Sequence, residues 1–135
     1  MKHEFEQKVF YSDTDAYGVV WHGSYLRWME IGRVELCEKV GYSLTKLFKD
    51  DVTLPVAEIN IRYKSPAKLE EKLLIETSLI ESTKISMTFG QKIYNAETKK
   101  LHIDAKVKVV ATHNDGMLYR SLPQDLVDFI EKVKD

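Results

Sequence analysis

Residues 11–40 read YSDTDAYGVVWHGSYLRWMEIGRVELCEKV. The run leaves a strand end, passes through a turn with two carboxylates, Asp13 and Asp15, and enters a long, mostly apolar helix. Ser24, just after Gly23, is the expected N-cap, because its hydroxyl can accept from an amide of the first turn. Gly41 stands where a C′ glycine closes a helix after Val40. At about 100° per residue, Tyr25, Met29, Gly32, Leu36 and Val40 share one face. Trp28 and Ile31 fall elsewhere on the circumference, so burial nearly all round is expected, as a helix enclosed by a sheet requires. A carboxylate is thereby delivered close to the positive end of a helix dipole, where free amides can stabilise a developing oxyanion.

The remainder of the chain supplies the sheet. HEFEQKVFYS, from His3, reads as a first strand of mixed exposure. After the long helix comes a helical turn over Leu44, Leu47 and Phe48, ending at Asp50-Asp51. That pair reads as a solvated turn, with no His or third carboxylate beside it. Leu54, Val56, Ile59, Ile61 and Tyr63 mark a long strand, with Pro55 near its start where proline is tolerated. KLLIETSLIE, from Lys72, is the next, and Leu73, Ile75, Thr77 and Leu79 oppose Leu74, Glu76 and Ser78. A further strand carries Ile85, Met87, Phe89, Gln91 and Ile93 on one side. After the NAETKK turn, Ile103, Ala105, Val107 and Val109 alternate in the last long strand. Asn114-Asp115-Gly116 is a hairpin signal, and Pro123 opens a final helix over Leu126, Phe129, Ile130 and Val133. One early helix followed by consecutive strands is an α+β chain with an antiparallel sheet. Residues 1–135 are expected to form one domain.

Lys plus Arg number 20 and Asp plus Glu 21, a formal net charge of −1, which argues against a dedicated nucleic-acid binder. The single cysteine, Cys37, allows no disulfide framework or zinc cluster within the chain and reads as a small core residue. No apolar signal segment opens the sequence and no run of about 18 apolar residues occurs, so a cytoplasmic protein without a transmembrane segment is expected. No Gly-rich phosphate loop is present, and neither a cofactor nor a metal is expected.

Several polar residues near the helix carry candidate chemistry. Asp13 and Asp15 are turn formers, a functional carboxylate, or one of each. Glu30 and Arg33, three residues apart on the helix, are expected to form an ion pair beside the core. His22 precedes the helix start and offers both an imidazole, the side chain most used as a general base, and a backbone amide. His3, His102 and His113 read as ordinary surface residues. Tyr17, Trp21, Tyr25 and Trp28 offer aromatic surface for a pocket. Arg62, Lys64 and Lys68, around the Ser65-Pro66 bend, are candidate phosphate contacts.

The stretch DTDAYGVVWHGSYLRWMEIGR resembles the signature of hotdog-fold acyl-CoA thioesterases of the 4-hydroxybenzoyl-CoA thioesterase type, and in particular the branch associated with the Tol-Pal system. The likeness is densest over residues 11–33. The resemblance implies a long helix wrapped by a curved antiparallel sheet and hydrolysis of small to medium aliphatic or aromatic acyl-CoA. It places the reactive carboxylate at Asp15 and leaves Asp13 as a brace for the turn. It further implies that His22, through its amide, acts with Gly23 and Tyr25 in substrate or oxyanion binding. An acyl carrier protein is an alternative carrier of the acyl group. A homodimer or homotetramer with sites formed between subunits is expected. Two other readings stand beside this one: a non-catalytic acyl-thioester-binding protein, and a hotdog hydratase or dehydratase, whose Asp/His motif the turn does not match.

Overall fold

The structure is a computed structural model that describes residues 1–134. Five strands form one antiparallel sheet in the order β1-β3-β4-β5-β2: β1 is Lys2–Lys8, β2 Val56–Tyr63, β3 Lys72–Ser82, β4 Ser86–Asn95 and β5 Leu101–Val110. Helix α1, His22–Lys39, packs against β3 and β1, with the short α2, Leu44–Lys49, beside it and α3, Gln124–Val133, against β3. This is the hotdog architecture expected. The alternation read from the sequence sets which face is buried: Leu73, Ile75, Thr77, Met87, Phe89, Gln91, Ile93, Ile103, Ala105, Val107 and Val109 are all buried. Ile85 departs from that pattern, since it precedes β4 and is exposed.

Helix α1 buries Ser24, Tyr25, Trp28, Met29, Gly32, Leu36 and Cys37, while Arg27, Glu30, Glu38 and Lys39 remain exposed, so the helix has a buried stripe and a solvent flank rather than the nearly all-round burial expected. Its end is a Schellman motif: Tyr42 N–H donates to the Cys37 carbonyl at 2.9 Å and Gly41 N–H to the Glu38 carbonyl at 3.0 Å. Its beginning corrects the expectation for Ser24. The helix starts at His22 with Trp21 as N-cap, so Ser24 lies in the first turn, and its hydroxyl donates to the Asp13 carbonyl at 3.1 Å. Gly32 permits the close approach of helix to sheet. A Cβ there would stand 2.4 Å from Thr77 Oγ1 and 3.2 Å from Gln91 Nε2.

The expected Glu30–Arg33 ion pair is absent among the described residues. Arg33 Nη1 instead donates to Gln91 Oε1 at 2.9 Å, and Gln91 Nε2 donates to the Met29 carbonyl and to Thr77 Oγ1. A partner 58 residues away in sequence, already buried under the helix, holds the guanidinium in place of its helical neighbour. Asp51 is likewise more than a solvated turn. Its carboxylate accepts from the Asn114 amide at 2.9 Å and pairs with His113, whose ring stacks on Tyr119. No helix among the described residues is long and apolar enough to cross a membrane.

Candidate active site

The turn ahead of α1 is a three-residue hairpin loop. Asp15 N–H donates to the Val19 carbonyl at 2.9 Å and Gly18 N–H to the Asp15 carbonyl at 3.0 Å, with Gly18 at φ +78° and Thr14 bridged to Val20. A type I turn followed by one left-handed residue makes such loops. Asp15 Oδ1 accepts from Tyr17 N–H at 2.8 Å; Oδ2 has no donor among the described residues. One oxygen therefore orients the carboxylate and the other is unengaged.

Asp13 does different work. It is 4% exposed, its Oδ2 accepts from Phe10 N–H at 2.9 Å, and its Oδ1 accepts from Arg27 at 2.6 Å. Its carbonyl takes the Trp21 amide as well as the Ser24 hydroxyl. Both carboxylate oxygens are occupied, so Asp13 braces the turn against α1.

His22 and Gly23 are the first two residues of α1, and their amides meet no protein acceptor among the described residues. Helix geometry leaves such leading amides unpaired, at the end where the dipole favours negative charge. The Trp21 indole covers Gly23 so closely that a Cβ would lie 2.1 Å from it, which accounts for glycine at this position. The His22 ring is exposed and lies 5.0 Å from the Trp21 ring.

A cavity of about 330 Å³ is lined by Asp15, His22, Tyr25, Tyr63, Lys64 and Ser65 among others. Tyr25 is buried, and its hydroxyl oxygen accepts from Ala67 N–H at 3.0 Å, tying the far wall to the helix. Burial raises its phenol above the ordinary value, so it stays protonated at neutral pH. The four aromatics do not converge as a pocket lining. Trp28 is 1% exposed in the core, whereas Tyr17 is 90% and Trp21 50% exposed. Of the three candidate phosphate contacts, only Lys64 lines this cavity, and Arg62 faces a different hollow with Glu58 and Asp104. A larger hollow of about 620 Å³, bounded by Leu44, Phe48 and Leu54, has no titratable side chain in its wall and can supply no acid or base.

One cluster went unread in the sequence. His102, expected at the surface, is 2% exposed and joins Ser65, Glu71 and Asn95. Alternation along β5 places residue 102 opposite the core-facing Ile103, and Ser65 and Glu71, from the chain crossing at residues 64–71, close on it. A lone strand histidine gives no local signal of that.

The model of the thioesterase-like superfamily matches residues 9–130. An acyl-CoA thioester hydrolase, YbgC, of Escherichia coli is 36% identical over 120 residues, 89% of each chain. Among solved structures, the DHNA-CoA thioesterase of Staphylococcus aureus is similar with a TM-score of 0.87 at 23% identity, covering 97% of this chain and 89% of that one. A mutant 4-hydroxybenzoyl-CoA thioesterase complexed with 4-hydroxybenzoyl-CoA is similar with a TM-score of 0.83 at 20% identity, covering 95% and 97%.

Proposed function

Given that the chain belongs to the thioesterase-like superfamily, we propose that it hydrolyses acyl-CoA thioesters to the free acid and CoA, with Asp15 as the reacting carboxylate. The observation that carries this reading is one cavity lined by both Asp15, whose carboxylate has an unengaged oxygen, and His22, whose unpaired amide opens α1 next to that of Gly23. A thiolate leaves readily, so the site needs no strong acid. It needs a base or nucleophile, and donors for the oxyanion. Asp15 Oδ2 takes a proton from the attacking water, or attacks the carbonyl to give a mixed anhydride that water then opens. Single turnover in oxygen-18 water detects an anhydride that water opens at the Asp15 carboxyl carbon, because the Asp15 oxygen then leaves in the first product.

The acyl groups are small to medium, aliphatic or aromatic, since the cavity lies near the lower end of ligand-pocket volumes. An acyl carrier protein presents the same thioester on a phosphopantetheine arm and is the second candidate donor. In this reading residues 1–135 form one domain, and the working unit is a homodimer or homotetramer. Strand β2 is a sheet edge with Val56, Ile59 and Tyr63 each more than two-fifths exposed, and pairing that edge across a two-fold axis would cover them.

The test is release of free thiol from acetyl-, hexanoyl-, benzoyl- and palmitoyl-CoA, each compared with the acyl carrier protein thioester. Turnover of the first three supports the reading. No thiol from any of them leaves a binding protein, and a preference confined to palmitoyl-CoA rejects the small pocket. Light scattering that finds a monomer at full specific activity defeats a site shared between subunits.

A further inference from the structure

We infer that His102 and Glu71 are positioning residues, which hold residues 63–71 as the far wall of the Asp15 cavity and so place Lys64 for the phosphates of a CoA thioester. The inference rests on the thioesterase reading above and concerns two residues outside the reacting group.

The single imidazole of His102 grips both ends of this strap. On one side its Nδ1 lies 2.9 Å from Ser65 Oγ and 3.1 Å from the Ser65 carbonyl oxygen. On the other, its Nε2–H donates to Glu71 Oε1. Glu71 is itself fixed, because Asn95 Nδ2 donates to Oε1 at 2.8 Å and Lys68 N–H to Oε2 at 2.9 Å. Ser65 Oγ donates to the Leu101 carbonyl at 2.8 Å, and Lys64 N–H donates to the His102 carbonyl at 2.9 Å. The middle of the strap meets the site directly: Ala67 N–H donates to Tyr25, and Val20 N–H donates to the Ala67 carbonyl. An apolar plug would fill the space under the strap without desolvating polar groups. Hydrogen bonds add direction, and direction is what a wall carrying a substrate contact needs.

Lys64 is the one Lys or Arg among the described residues lining this cavity, and among those residues it has no ion-pair partner. Its place depends on the strap, whereas Asp15 and the α1 amides, though they touch the strap through Val20 and Tyr25, are also clamped through Asp13, Ser24 and Arg27. Loosening the strap therefore weakens ground-state and transition-state binding alike, which raises KM and leaves kcat.

The probes are benzoyl-CoA and the benzoyl thioester of pantetheine, which has no phosphate. In His102→Leu the KM for benzoyl-CoA is expected to rise about tenfold, the lower range for loss of one charged hydrogen bond, with kcat within about threefold. The KM for the pantetheine thioester should move less than about twofold. His102→Gln, which retains a donor and an acceptor, should restore part of the difference. Hydrogen exchange at the Ala67 and Val20 amides should quicken in His102→Leu. Equal KM changes for both thioesters, a kcat loss that tracks loss of folded protein, or unchanged exchange at those amides overturns the proposal. Glu71→Gln carries the same expectations if His102→Leu does not fold. If the parent turns over no thioester, the functional reading fails by itself, and exchange still decides whether His102 holds the strap.

Discussion

Replacing Asp15 and Asp13 in turn by asparagine separates reaction from architecture. In Asp15→Asn the side-chain oxygen keeps the Tyr17 amide, 2.8 Å away in the parent, and the new amide group takes the place of an oxygen that had no donor. No hydrogen bond is lost, so the stability change stays under about 0.5 kcal/mol, or about 2 °C in Tm for a chain of this length. The reacting charge is gone, and kcat falls by at least about 10²-fold, equal to about 2.7 kcal/mol of barrier. Asp13→Asn should behave in the opposite way. Both of its oxygens accept, from Phe10 N–H and from Arg27, and an amide nitrogen must now face one of those donors at a site 4% exposed. The Arg27 side chain is 57% exposed and can swing away, which discounts the loss of its pairing. About 1.5 kcal/mol remains, a drop of about 6 °C in Tm, with kcat near the parent's. Steady-state thiol release and thermal unfolding on the parent and both variants measure all four quantities. Near-parental turnover by Asp15→Asn would falsify the site, however well the turn and helix match.

Cys37 is buried and its thiol is pushed up to about 12 by that burial; a thiol reagent should find no reactive group in the native protein and one after denaturation, so Cys37 does not interfere with CoA-release assays. Gly32→Ala should destabilise by about 1–3 kcal/mol despite the better helix propensity of alanine, because the added methyl displaces Thr77 from Gln91; an unchanged or higher Tm would refute the close packing. Burial pushes the Glu71 carboxyl up, but bonds from Asn95, the Lys68 amide and His102 bring it below the ordinary value of 4.5. A group depressed on folding contributes stability above its unfolded pKa and loses it as pH falls through the folded value. Below pH 4.5 the parent's Tm should therefore fall more steeply than that of Glu71→Gln, and parallel Tm–pH curves would refute the assignment.

What the sequence made legible was whatever depends on neighbours along the chain. Alternation over Leu73–Thr77 and Ile103–Val109 assigned the buried face of β3 and β5, and Gly41 marked the end of α1. The division of labour between Asp13 and Asp15 came from the motif, and the hydrogen bonds of Asp13 agree with its bracing part. What escaped depended on chain crossings. Ser24 read as an N-cap, but the helix begins two residues earlier and its hydroxyl turns to Asp13. Arg33 read as the partner of Glu30, but Gln91 comes from β4 to take it. His102 read as a surface residue until residues 64–71 lay across it. Trp28 read as pocket lining beside Tyr25, but only Tyr25 reaches the cavity, because aromatic composition does not reveal which way a helix is rolled.

The two walls of the cavity differ in the length of chain they close, which bears on the order in which they form. The Asp15 wall is held by Asp13 contacts to Ser24 and Arg27, 11 and 14 residues away. The strap wall needs Ser65 to meet His102 across 37 residues and Ala67 to meet Tyr25 across 42. Loop-closure entropy grows with separation, and contacts that span more chain reward the folding chain later. The Asp15 wall can thus assemble while most of the sheet is still unpaired, and the strap seats only once β5 is in place. A cysteine pair or fluorophore pair reporting the Tyr25–Ala67 approach should accordingly appear in a slower refolding phase than one reporting the Asp13–Arg27 contact. During that interval the nascent site is half-built and open, with the Asp15 carboxylate already held by the Tyr17 amide.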